Sequence, residues 1–304
     1  MTKELARALD AHHAWLEGDA AGVRLDLSSS NLRNAQLKGR DLRMAMLKSS
    51  CLAGASLEGA NLAGAVLTGV DLRDARLNEA DLTGSEIKDT SFEHCDLSQA
   101  DLSEATIVTC SFEAANVSGA RFLDGQVTQC NFTKAVLKTA VLQHVRLFDC
   151  EFQEASFEGA LWHHARVRLC RFKEARGAGA VFSYSVLENA DFRKAQLPEA
   201  KFMKANISGG SFAWAALIKC DFRESTVRGA EFARAVLQGA RFGQATLNGA
   251  DFRGANMNAA RELTSQQMTK AWTSQETILP NGHKGVYLRG SGSERPAPSA
   301  LQTA

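Results

Sequence analysis

The chain has 304 residues, and its 35 basic and 34 acidic side chains leave a net charge of +1. This balance excludes a bulk electrostatic field that would attract nucleic acid or an anionic membrane. No apolar run approaches the roughly 18 residues that span a bilayer, and the first residues carry mixed charges without an apolar signal core. The 7 cysteines include no CxxC pair, which is typical of reduced thiols. We therefore expect a cytoplasmic protein with no membrane span and no direct binding of nucleic acid.

Residues 2–17 have the pattern of an amphipathic helix. Leu5, Leu9 and Trp15 fall on one side of it, and Gly18 is where we expect the helix to end. The terminal unit of a repeat protein has to cover an edge that would otherwise be exposed. We predict that residues 1–24 form an N-terminal capping helix and loop.

A five-residue repeat follows. From Leu27 to Met257 almost every fifth residue is large and apolar, and Gly177 is the exception. A small residue stands two positions earlier and a polar one lies between, as in residues 80–82 (Ala-Asp-Leu). This is the in–out–in alternation of a strand. The next two residues are polar or Gly, which is typical of turns, so each unit predicts one short strand and one corner.

The spacing of the phenylalanines gives the number of corners in a coil. One set recurs at every twentieth position, which is four units: Phe92, Phe112, Phe132, Phe152, Phe172, Phe192, Phe212, Phe232 and Phe252. A second set lies half a coil away: Phe122, Phe182, Phe202, Phe222 and Phe242. Two opposed aromatic columns and two aliphatic columns would fill a square interior. The pattern predicts an all-β solenoid, a quadrilateral β-helix of about 12 coils over residues 25–259.

The unit Ala-(Asp/Asn)-(Leu/Phe)-x-x, as in residues 80–84 and 190–194, resembles the repeat of the bacterial pentapeptide-repeat family. The resemblance extends over residues 25–259, about three quarters of the chain. It implies a right-handed coil. It also implies a non-enzymatic scaffold or adaptor that binds another protein, in some members together with secretion systems or effectors.

After Met257 the five-residue pattern stops. Thr264 and Gln267 have the spacing of a capping box that opens a short helix, and residues 280–282 (Pro-Asn-Gly) are a turn signal. We predict that residues 260–288 form a C-terminal helix and turn cap. Residues 289–304 are rich in Gly, Ser and Pro, and we predict a disordered tail there.

Two groups of side chains could carry chemistry. Six cysteines occupy the small inward position: Cys95, Cys110, Cys130, Cys150, Cys170 and Cys220. Thiols stacked one per coil could form disulfides or bind metals, but a dry inward thiol behaves as a small hydrophobic group, so we interpret them as packing. Asp124, His144 and His164 share a corner column and could supply metal ligands. Because no further ligand accompanies them, we interpret them as solvated and expect no metal and no cofactor.

Apolar residues also occupy positions that should face solvent. Contiguous exposed apolar groups mark partner surfaces, although Val suits a strand anywhere. We predict a protein-binding surface made of Val141, Leu161, Val181, His144, His164, Tyr184, Phe148, Leu169 and Val186. Trp162 replaces the usual Phe or Leu nearby, and Gly177 follows Phe157 by one coil. We expect the missing side chain at Gly177 to make room for Phe157.

The sequence contains no Ser/His/Asp grouping and no phosphate loop, so we expect no enzyme. The favoured function is a non-enzymatic protein-binding scaffold. The alternative is a DNA-mimicking regulator that binds gyrase or another topoisomerase, similar to the quinolone-resistance pentapeptide proteins, which dimerise through C-terminal elements. The column Asp41, Asp81 and Asp101 and a homodimer through the C-terminal segment are compatible with it. The near-neutral charge and a basic cluster between residues 146 and 176 argue against it.

Overall fold

The computed structural model describes residues 3–297. The chain forms two compact units, whose described parts are residues 3–156 and 157–297. Within these described residues, no helix has the length and apolar character that crossing a membrane requires. The elements in chain order are α1 (Lys3–Leu16), β1 (Val66–Thr68), β2 (Glu86–Lys88), β3 (Thr106–Val108), β4 (Gln126–Thr128), β5 (Arg146–Phe148), β6 (Arg166–Arg168), β7 (Val186–Glu188) and α2 (Ser265–Met268).

The first unit is a stack of coils in which residues pair with their counterparts one coil later. The first coil pairs with the second at four places: Asp26 with Met46, Asn31 with Cys51, Gln36 with Ser56, and Asp41 with Asn61. All four bridges are parallel, one on each side of the coil. Strands β1 to β5 stack on one side in the same register. The fixed offset produces four columns of residues that repeat coil after coil.

The second unit has the same kind of arrangement. Strand β6 pairs in parallel with β7, and further bridges run from Leu161 with Val181 to Asp251 with Trp272. A parallel β-solenoid with a short helix near each end of the chain is therefore confirmed. The handedness and the count of about 12 coils stay predictions.

The inward positions form a dry core of stacked side chains. In the first unit the rings of Phe92 and Phe112 stack with centroids 4.7 Å apart, and those of Phe112 and Phe132 4.6 Å apart. In the second unit Phe192 and Phe212 stack at 5.0 Å, and all of these rings are buried. Centroid spacings near the 4.7–4.9 Å distance between strands mean that the backbone ladder sets the ring stacking.

The corners require left-handed backbone. The fifth residue of each unit, counted from the small inward one, has positive φ, for example 56° at Asn34, 55° at Leu169 and 64° at Trp214. This conformation costs a residue with a side chain about 1–2 kcal/mol. The ladder offsets the cost because the corner N–H is used: that of Asn34 donates to the C=O of Ala53 at 2.9 Å.

Helix α1 caps the first coil through a buried histidine. His12 is fully buried, and its Nδ1 accepts the N–H of Leu25 at 3.0 Å. Its ring lies parallel to that of Trp15, with centroids 5.7 Å apart. Acceptance at Nδ1 requires that this nitrogen carry no proton, so the contact selects the neutral ring.

Helix α2 has the predicted capping box. The side chain of Thr264 accepts the N–H of Gln267, and the side chain of Gln267 accepts the N–H of Thr264. Residues 289–295 are turns and bends, and in this segment the buried Glu294 accepts a hydrogen bond from the hydroxyl of Tyr287 at 3.1 Å. The remainder of the predicted tail, residues 298–304, lies outside the described residues.

The expectation for Gly177 is confirmed, and it leads to a stability prediction. A Cβ at this position would lie 2.1 Å from the ring of Phe157 and 2.9 Å from the side chain of Leu197. Gly177→Ala should therefore lower the free energy of unfolding by about 1–3 kcal/mol, the usual cost of overpacking. Urea denaturation measures this change. Adding Phe157→Leu should recover part of the loss, and additive effects of the two substitutions would contradict the proposed contact.

His12 makes the stability of the cap depend on pH. Burial lowers the pKa of His12 below its ordinary value of 6.5. The backbone of Arg43 and the carboxylate of Asp41 oppose this shift, and the positive charges of Arg24 and Arg43 add to it. The unfolded chain therefore binds a proton at a higher pH than the folded one. We expect the stability supplied by neutral His12 to be complete above about pH 6.5 and to decline as the pH falls below that value. Denaturation of the chain and of His12→Asn between pH 5 and 8 should show a smaller pH dependence in the variant.

Candidate protein-binding surface

The outward apolar residues lie on both units. Val141, His144 and Phe148 belong to the first unit, where Phe148 ends β5 with 41% of its surface exposed. The others belong to the second unit: Leu161, His164, Leu169, Val181, Tyr184 and Val186. The structure pairs Leu161 with Val181 and stacks His164 on Tyr184. The six residues of the second unit are called the apolar surface below.

Leu161 and Val181 form the centre of the apolar surface. They occupy the outward position of successive coils and pair in a parallel bridge. Both are only partly buried, whereas the inward neighbours Trp162 and Phe182 are fully buried. The inward rings fill the core without the two outward side chains, so the apolar area of Leu161 and Val181 remains available to a partner.

A ladder of rings and charges borders this pair at the next corner. The rings of His164 and Tyr184 are stacked with centroids 5.1 Å apart. The ammonium group of Lys204 lies 5.3 Å from the centroid of the Tyr184 ring and 3.6 Å from a carboxylate oxygen of Glu224. These contacts hold Tyr184 in place while 43% of it stays exposed. A rigid, half-exposed tyrosine is a good anchor for a partner.

Strands β6 and β7 continue the surface beyond this corner. Val186 begins β7 and pairs with Arg166 of β6. Arg168 lies 3.4 Å from a carboxylate oxygen of Glu188, so charges interrupt the apolar side chains here. Leu169 sits at the following corner with 45% of its surface exposed and φ of 55°. A bulky residue in this conformation is uncommon, and its side chain contributes nothing to the core.

The core beneath the surface is locally rebuilt. The ring of Phe157 meets those of Trp162 and Phe182 edge to face, with centroids 5.8 Å and 6.0 Å apart. Trp162 instead stacks on Phe182 at 5.4 Å. Gly177 provides the space that this crossed arrangement needs, because any side chain there would overlap Phe157. The large rings support the backbone that carries Leu161 and Val181.

Six of the seven cysteines lie inside the coils, as the repeat predicts. In the first unit the thiols of Cys110, Cys130 and Cys150 point to backbone carbonyls two residues earlier, at 3.2, 3.3 and 3.4 Å. Burial raises the pKa of Cys95 to about 12, and the neighbouring thiols of Cys110 and Cys150 raise the pKa of Cys130. Within residues 3–297 no three His, Cys, Asp or Glu side chains are placed to hold a metal ion.

A second outward apolar group was not predicted from the sequence. Trp214 occupies a corner of the second unit with 56% of its surface exposed, and the guanidinium of Arg234 lies 4.7 Å from the centroid of its ring. Ala216 and Val236 pair on the adjacent side, next to the exposed Ile218. The signal was present in the sequence, because Trp214 stands at a corner position that usually holds a polar residue or Gly.

Four-sided coils built from five-residue units define the class of this protein, a parallel β-solenoid. The family model described as pentapeptide repeats (8 copies) matches residues 50–89, 85–124, 170–209, 215–254 and 230–261. These matches include more than half of the chain. The chain belongs to the pentapeptide-repeat family.

Solved structures with the same kind of repeat are similar to the chain. HetL, a pentapeptide repeat protein involved in heterocyst differentiation regulation in the cyanobacterium Nostoc, is 24% identical, with 89% of this chain and 97% of that chain covered and a TM-score of 0.25. QnrB1, a plasmid-mediated fluoroquinolone resistance protein, is 19% identical over 66% of this chain and 87% of that chain, with a TM-score of 0.30. A pentapeptide repeat protein of the Arabidopsis thaliana thylakoid lumen is 26% identical over 37% of this chain and 68% of that one, with a TM-score of 0.18. No curated protein sequence matches the chain.

The burial of the cysteines predicts their reactivity. Cys51 is partly exposed, whereas the other six are buried. In the native chain a thiol reagent such as DTNB should react readily with Cys51 alone, and the six others should react after unfolding, because buried thiols rarely ionise. Peptide mapping after brief alkylation checks this. Rapid native labelling of Cys130 would show that the interior is open to solvent, and Cys51→Ser provides the control.

Proposed function

We propose that the chain is a non-catalytic scaffold that binds another protein through the apolar surface. The observation that carries the proposal is the bridged outward pair Leu161 and Val181, bordered by the fixed ring of Tyr184. An interior filled by stacked rings and aliphatic side chains is consistent with a function that resides on the outer faces.

The energetics favour a partner over a purely structural explanation. A Leu–Val pair on neighbouring strands contributes only about 0.2–1 kcal/mol to the stability of the fold. Covering one such side chain fully stabilises a complex by about 1.5–3 kcal/mol. Tyrosine anchors commonly dominate interfaces of this kind, and Tyr184 already has restricted freedom, so its ordering on binding costs less.

The DNA-mimicking alternative receives less support from the charges. The acidic column that favours it lies in the first unit, where the carboxylate of Asp41 is 2.7 Å from the guanidinium of Arg43. Asp101 lies 3.3 Å from Arg121. The remaining member, Asp81, accepts the N–H of Thr83. Paired carboxylates present a weak field, whereas a mimic of the phosphate backbone needs a continuous negative one.

A homodimer through the C-terminal segment stays a prediction. Trp272 and Leu288 in that segment are 59% and 68% exposed, and they are the side chains that such a contact would cover. Their exposure is equally available to a different protein. The apolar surface is the principal candidate for partner binding, because its outward pair Leu161 and Val181 borders the fixed ring of Tyr184.

The test is a pair of substitutions at the centre of the surface. Leu161→Lys with Val181→Lys should leave the fold intact, because both side chains point outward, and should weaken partner binding roughly tenfold or more. The matched control is Val66→Lys with Val136→Lys, two outward valines of the first unit that are also partly buried. Proteins captured from a host lysate by the three forms are compared, and affinities are then measured with the purified captured protein.

The result is informative in both directions. Loss of one captured protein with the Leu161 and Val181 variant alone supports the proposal. Equal capture by all three forms would exclude the apolar surface as the binding site. Circular dichroism and thermal melting establish that each form is folded before the comparison is made.

A further inference from the structure

The N-terminal edge of the first coil carries unpaired backbone groups on two sides. In later coils these groups are used: the N–H of Cys51 donates to the C=O of Ser30 at 2.9 Å, and its C=O accepts the N–H of Leu32 at 2.7 Å. The equivalent N–H and C=O of Asn31 have no backbone partner among the described residues, nor do those of Gln36. The carbonyls of Arg33 and Lys38 likewise accept no backbone N–H from the described residues.

A groove runs along this edge beside α1. It has a volume of about 600 Å³ and is lined by Leu5 and Ala8 of the helix and by residues 30–36 of the coil. Leu32 and Ala35 occupy inward positions yet are only partly buried. Their equivalents in the next coil, Leu52 and Ala55, are almost completely buried. The groove therefore combines unpaired backbone groups with an uncovered part of the core.

The C-terminal end of the chain shows that the ladder accepts segments without the five-residue repeat. Trp272 pairs in parallel with Asp251, and Ile278 with Asn256. The N–H of Trp272 donates to the C=O of Ala250, and its C=O accepts the N–H of Phe252, both at 2.8 Å. These are the bonds that the N-terminal edge leaves open on its two corresponding sides. An extended strand needs only the right backbone direction to join.

Charge indicates which strand would join. Residues 31–40 contain three basic residues and no acidic one. The three are Arg33, Lys38 and Arg40, all exposed and without a carboxylate in ion-pair distance among the described residues. Glu4 is the one carboxylate that lines the groove. A second copy of the same edge would bring like charges together, which disfavours it.

We propose that this edge binds an extended acidic segment of a partner protein by strand addition. The segment supplies one C=O to the N–H of Asn31 and two N–H groups to the carbonyls of Asn31 and Arg33. Its large apolar side chain stacks on the partly buried Leu32, and its acidic side chains face the three basic residues. This site is separate from the apolar surface and does not rest on the function proposed for it.

The probe is a fluorescent peptide that copies residues 79–85 (Glu-Ala-Asp-Leu-Thr-Gly-Ser), a unit that forms a rung in the chain itself. Fluorescence anisotropy with the full chain measures binding up to about 1 mM protein. We expect saturable binding that weakens as salt is added. A peptide with Lys at its two acidic positions, and one methylated at the leucine nitrogen, should each bind roughly tenfold more weakly.

The protein variants locate the site. Asn31→Pro removes an edge donor that makes no backbone bond among the described residues, and Asn31→Ala, which loses the same side chain, is its matched control. Arg33→Glu with Lys38→Glu reverses the charge. Both the proline and the charge variant should weaken binding, and the alanine variant should not. Melting temperatures equal to that of the parent chain show that the variants are folded, and the methylated peptide tests the backbone bonds on the unaltered chain.

Three results would overturn the proposal. These are no binding of the acidic peptide at the highest concentration, equal binding of the methylated peptide, or affinity unchanged by both edge variants. Analytical ultracentrifugation distinguishes a partner strand from a second copy of the chain. A dimer of the chain that Asn31→Pro disrupts would assign the edge to a second copy and would exclude the acidic partner.

Discussion

Within each unit, parallel backbone pairing between one coil and the next, in a repeating register, is the constraint on which the structure depends. Each coil supplies the hydrogen-bond partners of the next, so neither can keep its corners without its neighbour. The left-handed corner conformation is unfavourable for most residues, and bonds such as that of Asn34 with Ala53 maintain it. The same pairing brings identical side chains above one another, which is why phenylalanines stack on phenylalanines.

Regular pairing also separates the roles of the side chains. Inward residues fill a narrow space in which one added carbon matters, as the contact between Gly177 and Phe157 shows. Outward residues are almost free of folding requirements, so an apolar residue there stands out. Leu161, Val181 and Trp214 are visible as anomalies for this reason. In a fold with an irregular surface the same residues would not attract attention.

Most of the architecture could be predicted from the sequence because it is periodic. The five-residue spacing gave the in–out–in strand, the phenylalanines gave four sides, and Thr264 with Gln267 gave the start of α2. Contacts that no period encodes could not be predicted. The bond between His12 and Leu25 joins a helix to a coil and depends on how the helix packs. The open edge at Asn31 and Gln36 likewise depends on which two sides α1 leaves uncovered. The grouping of Tyr184 with Lys204 and Glu224 could be predicted, because the three residues are spaced 20 apart and share a corner column. How much of each outward apolar side chain is exposed could be read only from the structure.

The fixed register between coils has a consequence for how such a chain can change. Because all units present the same backbone, removing one five-residue unit would leave the hydrogen bonds of the ladder satisfied. Every residue beyond the deletion would move to the next side, a quarter turn around the coil axis. Leu161 and Val181 would still share a column, but they would face a new direction relative to everything before the deletion. Removal of four consecutive units would restore the original direction and shorten the stack by one coil. Gain or loss of units therefore rotates a whole surface about the coil axis without changing the residues that form it.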